Sequence, residues 1–101
     1  MQTTEKWSCG ISKIMDDLSG KWRLNIIWII SNQPDIGFNQ LRKNLPNITN
    51  MALERSLDAL QTKGYISKEL LGHKPPLQSK YSLTIKSKNI LPILLKLNNI
   101  N

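Results

Sequence analysis

FNQLRKNLPNITNMALERSLDALQTKG, Phe38 to Gly64, holds two helical patterns around a tight turn. Phe38, Leu41 and Leu45 recur at helical spacing. They predict a short helix from Phe38 to Leu45 that exposes Asn39, Gln40, Arg42 and Lys43. Pro46 stops it, because proline lacks the amide proton a helix interior needs. Asn47 to Asn50 is a turn rich in residues that cap helix starts. Leu53, Leu57 and Leu60 then mark the buried stripe of a second helix running to about Lys63, and Gly64 is a fitting stop.

Towards the C-terminus the period changes. Tyr65 to Leu71 reads as a strand with imperfect alternation, Gly72 to Gln78 as a loop, and Lys80 to Thr84 as a returning strand. A last helix carries Ile90, Leu91, Ile93, Leu94, Leu95 and Leu97, with Pro92 either in its first turn or at a kink. Towards the N-terminus, Ile11, Ile14, Met15 and Leu18 predict a helix over 11–18 that ends at Ser19-Gly20. Another helix starts near Lys21 and carries Trp22 and Ile26 to Ile30. It is apolar on more than one face, as suits a core helix or one also used at an interface. Asn32 to Gly37 reads as a turn cluster. The order describes a winged helix-turn-helix, mainly α with a small β-hairpin, as a single domain over residues 1–101.

Composition narrows the partners. The chain has 101 residues and a formal charge of +7, from 14 Lys and Arg against 7 Asp and Glu. Such an excess favours a polyanion, either double-stranded DNA or an anionic membrane surface; the plain alternative is an inert basic surface. A membrane role is the weaker reading, because the apolar faces look committed to core and dimer. The apolar run Ile26 to Ile30 is far too short to span a bilayer, and Met1 to Trp7 lacks the apolar core of a signal peptide. One cysteine, Cys9, excludes an intramolecular disulfide and a cysteine zinc cluster, and fits a reducing cytoplasm. A single histidine, no glycine-rich phosphate loop and no paired-carboxylate pocket argue against an enzyme, and no cofactor or metal is expected. Asp16-Asp17 reads as a solvated helix end.

The stripe of the second helix in the quoted stretch leaves Asn50, Met51, Glu54, Arg55 and Asp58 facing outward. In a helix-turn-helix these would meet the major groove. Asn50 can pair bidentately with adenine, Arg55 with guanine or a phosphate, and Glu54 with cytosine N4. Thr49 and the amides at the helix start can hold a phosphate. The competing reading is an ordinary amphipathic helix with a polar face. Glu54 and Asp58 carry negative charge beside the groove, so phosphate attraction falls to Arg42, Lys43, Lys68, Lys74 and Lys80, with Asn39 alongside. His73 and Lys74 stand before Pro75-Pro76, which stiffen a wing tip; a solvated loop is the alternative. Trp7, Trp22 and Trp28 read as core or interface anchors. The last helix, with the first, reads as a dimer interface, or else as a lid on the core. Cys9 stands near Lys6 and Lys13 at a helix start, a setting that lowers a thiol pKa, so it is either a redox sensor or an inert small hydrophobe.

The chain resembles the HxlR-type winged-helix regulators, relatives of the MarR-type proteins. The resemblance is carried, in order, by Cys9; Asp17-Leu-Ser-Gly-Lys-Trp22; Phe38-Asn-Gln-Leu-Arg42; Leu45-Pro-Asn-Ile-Thr49; Lys63-Gly-Tyr-Ile66; Pro75-Pro76; Tyr81-Ser-Leu-Thr84; and Leu91-Pro-Ile-Leu94. It implies a homodimer built from the terminal helices, with recognition helices in two half-sites of a promoter. It also implies repression more often than activation, and in some members sensing of electrophiles or oxidants at the position of Cys9. The chain departs from the family in having Met51, Glu54 and Asp58 on the recognition face and Leu77-Gln78, without an arginine, after the paired prolines. It reads Ile85-Lys-Ser-Lys88 where a Leu-Gly-Arg pattern is usual, and it has a short tail after Leu97, which implies a smaller C-terminal interface. With the acidic face and the missing arginine, a winged helix that binds protein instead of DNA is the second reading.

Overall fold

A computed structural model describes residue 10 and residues 12–100, by backbone alone at 97, 98 and 100. Helical backbone over 12–18 (α1) is followed by α2 (Arg23–Asn32), β1 (Ile36–Gly37), α3 (Phe38–Lys43), α4 (Asn50–Thr62), β2 (Ile66–Leu71), β3 (Gln78–Leu83) and α5 (Ile85–Ile100). The strands form one antiparallel sheet in the order β1-β3-β2. This is the expected winged helix-turn-helix with a third, two-residue strand. The expectations at Cys9, Trp7 and Ile11 lie outside the described residues.

Local chemistry explains the boundaries. After α1 the chain turns at Gly20, where φ is +109°, a left-handed value that favours glycine. The Arg23 guanidinium reaches back and donates to the Asp17 carbonyl at 2.8 Å, satisfying an orphan acceptor at the end of α1. The turn delays α2 to Arg23. Ile26, Ile27 and Ile30 of α2 are buried, while Leu24 and Trp28 remain exposed. The apolar surplus of this helix therefore divides between core and surface.

The turn cluster Asn32 to Gly37 needs correcting at its end. Ile36 pairs with Tyr81 and Gly37 with Lys80, so two of its residues are strand. Ile36 is buried, and the Ser82 hydroxyl donates to the Asp35 carboxylate at 2.9 Å, which anchors the turn to β3. Two residues are too few to show an alternation. The returning strand starts two residues earlier than expected and ends at Leu83, because pairing runs from Ile66 with Leu83 out to Leu71 with Gln78. The weak alternation of β2 has a physical basis. Only Ile66 is buried there, and the rest of the strand projects from the body.

Leu41, Leu45, Ile48, Leu53, Leu57 and Leu60 meet the α2 isoleucines, Tyr65 and Tyr81 in one core. Full burial of such a side chain contributes about 1.5–3 kcal/mol each. In α5, Ser87 is buried and Ile90 and Leu94 pack on the core, while Ile85, Ile93 and Leu95 face out. Pro92 lies inside this helix, which excludes a place in its first turn.

Asp17 overturns the reading of a solvated helix end. Its carboxylate is buried, accepts from the Tyr65 hydroxyl at 3.0 Å and pairs with Lys63 Nζ at 3.5 Å. Burial pushes its pKa up, but the Tyr65 hydrogen bond and Lys63 outweigh that, leaving it below the usual value. Tyr65 is pushed up to about 12 by burial and by its bond to Asp17.

Candidate nucleic-acid interface

The turn between α3 and α4 is held by its own chemistry. Asn44 closes α3 by donating from Nδ2 to the Gln40 carbonyl at 2.8 Å. Asn47 takes a left-handed φ of +70°, which asparagine tolerates better than most residues. Leu45 and Ile48 anchor the turn in the core. Thr49 is the N-cap of α4, its Oγ1 accepting from the Ala52 amide at 3.0 Å. The Thr49 hydroxyl proton is left to donate outward.

This frame fixes which side chains look out. Asn50, Met51, Glu54, Arg55 and Asp58 are all exposed on α4, and Asn39, Arg42 and Lys43 are exposed on α3. Met51 is 60% exposed beside them. Arg42 Nη1 donates to Asn50 Oδ1 at 3.1 Å, joining the two helices across the turn. Nothing in the sequence spacing signals that bond, because it depends on the angle between the helices.

The sheet sorts the wing lysines. Lys68 stands opposite Tyr81 in the β2–β3 register, and Lys80 opposite Glu69. Directly paired residues share a face, and neighbours along a strand alternate. Lys68 therefore lies on the face towards α4. There it lines a notch of about 300 Å³ with Glu54, Asp58, Phe38, Leu57, Ser79 and Tyr81. Lys80 is half-buried on the opposite face, beside Glu69. His73 and Lys74 are exposed at the wing tip. The predicted residues thus fall in two groups: Asn39, Arg42, Lys43, Thr49, Asn50, Met51, Glu54 and Arg55 around the turn, and His73 and Lys74 on the wing, with Lys80 turned away from α4. Cys9 lies outside the described residues. Sequence reasoning missed the contact of Asp17 with Tyr65 and Lys63 at the end of α4, although all three lie in stretches that carry the family resemblance.

Among the described residues no group of three His, Cys, Asp or Glu is placed to hold a metal, and no helix is long and apolar enough to cross a membrane.

The family described as HxlR-like helix-turn-helix matches residues 17–101. The uncharacterized HTH-type transcriptional regulator YkvN of Bacillus subtilis is 30% identical over 93 residues, 92% of this chain and 77% of that protein. A solved structure from Porphyromonas gingivalis W83, named for the MarR family of transcriptional regulators, is 31% identical with a TM-score of 0.79, covering 90% of this chain and 87% of that one. The redox regulator HypR in its reduced form is 27% identical with a TM-score of 0.82, over 89% of this chain and 87% of that one.

Proposed function

The chain belongs to the HxlR-like helix-turn-helix family and is a transcriptional regulator of that type, and from this premise we propose that it acts in the cytoplasm as a homodimeric repressor on a pseudo-palindromic promoter site. The observation that carries the reading is the capped start of α4, where Thr49, Asn50, Met51, Glu54 and Arg55 are presented outward beside Arg42 and Lys43. The N-terminal part of such a helix enters the major groove. Lys43 flanks it as a phosphate contact, Arg42 stands where it can reach base edges or backbone, and His73 and Lys74 bring the wing tip to the backbone. A charge of +7 supports the non-specific attraction on which base readout is superimposed. Lys80 is a weaker contact than the others, given its place beside Glu69.

Dimerisation draws on exposed apolar side chains. Ile85, Ile93 and Leu95 of α5, Ile14 and Met15 of α1, and Trp28 of α2 are all accessible in the single chain, and surfaces of this kind mark association sites. A two-fold dimer reads half-sites about 10 bp apart, or a multiple of that. Gel-shift titrations over a series of salt concentrations test the whole reading. Promoter DNA is expected to bind better than random DNA, with a clear negative salt slope that shrinks in Arg42→Ala/Lys43→Ala. Equal affinity for random and promoter DNA would sink it.

Redox response through Cys9 belongs to the same proposal. Its support is the likeness to HypR, a redox regulator solved in reduced and oxidised forms, and the place of Cys9 in the sequence between Lys6 and Lys13, cations of the kind that activate a thiol. Operator binding before and after a disulfide-forming oxidant tests it. Cys9→Ser is expected to lose the response, and a variant that responds like wild type removes Cys9 from the mechanism. No catalytic role is proposed, since the family is one of regulators.

A further inference from the structure

We infer that Arg42 and Asn50 read DNA as one unit, and that the unit selects guanine over adenine. The inference rests on the DNA-binding reading above and deepens it. Arg42 comes from α3 and Asn50 from the first turn of α4, and Nη1 of the one donates to Oδ1 of the other at 3.1 Å. Both side chains are exposed at the end of α4 that faces the groove.

The bond changes what Asn50 can offer. A free asparagine presents an acceptor and a donor side by side, which matches the N6 donor and N7 acceptor of adenine. Here the acceptor already takes a proton from Arg42. Arginine has five N–H donors and no acceptor, so the remaining guanidinium N–H groups and the Asn50 amide N–H groups all donate. The pair therefore shows the groove donors beside a full positive charge. Guanine offers two acceptors, O6 and N7, to such a surface. Adenine would bring its amino group, itself a donor, against the guanidinium. The second lone pair of Asn50 Oδ1 is a poor acceptor for it so close to that charge. Glu54 stands one turn, roughly 5–6 Å, further along α4 and so meets a different base. The adenine pairing expected for Asn50 from its residue type alone is replaced by a shared guanine contact.

Selection of bound duplexes from a random pool, with the full chain as wild type, Arg42→Met and Asn50→Ala, tests the inference. Wild type is expected to select guanine at one position of each half-site. Both substitutions should alter that same position. Arg42→Met should turn it towards adenine by freeing the Asn50 carbonyl, and Asn50→Ala should flatten it. In the selected site, 7-deazaguanine there, which lacks N7, should weaken wild-type binding roughly tenfold, the scale of a lost bidentate contact. Inosine, which keeps O6 and N7, should bind as guanine does. Adenine selected by wild type at that position, substitutions that alter different positions, or full-strength binding of every 7-deazaguanine duplex would each overturn the inference and leave the regulator reading intact. If Arg42→Met binds too weakly to be selected, the two modified-base duplexes decide with wild type alone. No enrichment of any sequence by wild type would instead overturn the DNA-binding reading, and this inference with it.

Discussion

The two ends of α4 are held in opposite ways. At its start the restraints are local: Thr49 caps Ala52, and Arg42 reaches Asn50 from the preceding helix, all at the surface. At its end they are long-range and largely buried. Tyr65 donates to Asp17, Lys63 pairs with Asp17, and Lys86 Nζ donates to the Lys63 carbonyl at 3.1 Å. Thr84 donates to the Gly64 carbonyl at 2.6 Å, and Ser87 to the Tyr65 carbonyl. Lys86 also sits 4.2 Å from the centroid of the Tyr65 ring, an added cation–π contact. One end is left open for a partner. The other ties α1, α4, β2 and α5 into a single junction, so a shift of the terminal helices is felt by α4.

That contrast can be broken at its strong end first. Tyr65→Ala empties a fully buried aromatic site and is expected to cost about 3–5 kcal/mol, seen as a large fall in the urea midpoint. A midpoint close to wild type would mean the junction is not what fixes α4. Tyr65→Phe keeps the ring and removes only the donor to Asp17, with a smaller loss that is full at neutral pH and fades as Asp17 is protonated. Asp17 has a folded pKa below its ordinary value. Its contribution is therefore complete above the ordinary carboxylate pKa and is lost as pH falls through the folded one. In Tyr65→Phe the acid limb of midpoint against pH should still begin near the ordinary carboxylate pKa but be smaller and end at a higher pH; an unchanged limb would sever Tyr65 from Asp17. Tyr65 gives the opposite sign at the alkaline end. With its pKa raised to about 12, stability should fall as pH rises from about 10, where a free tyrosine ionises, towards that value.

The weak end calls for smaller numbers. Thr49→Ala removes the cap of α4 and should cost about 1 kcal/mol by the same melts. Asn at this position should restore most of it, whereas a general packing loss would not be restored. Arg42→Met should change stability by less than about 0.5 kcal/mol, as surface substitutions do. A drop comparable to that of Tyr65→Phe would show the Arg42–Asn50 bond to be structural and not a feature of recognition.

The same contrast explains what could be read in advance. The start of α4 was legible because its signals are sequential: Pro46, Thr49 and the stripe of Leu53, Leu57 and Leu60 lie within one short segment. Its outward residues followed from that stripe by the geometry of a helix. The junction was not legible, because Asp17 and Tyr65 meet across 48 positions and each alone resembles a surface residue or an ordinary core aromatic. Asp17 passed for a solvated helix end on that account. Ile36-Gly37 escaped as a strand because its evidence is the pairing with β3 and not its own pattern. Lys68 and Lys80 looked equivalent until the register put them on opposite faces.

The short reach of β1 has a consequence for behaviour in concentrated solution. It covers β3 only at Tyr81 and Lys80, and among the described residues the outer side of β2 has no strand beside it. An uncovered strand is a template on which another chain can add. In β2 the exposed Leu70 and Leu71 would make such an addition adhesive, but Lys68 and Glu69 immediately precede them. Any copy stacking in parallel register would bring like charges together, and a desolvated charge at that edge is costly. Lys68 and Glu69 thus oppose that in-register stacking at the edge of the ribbon.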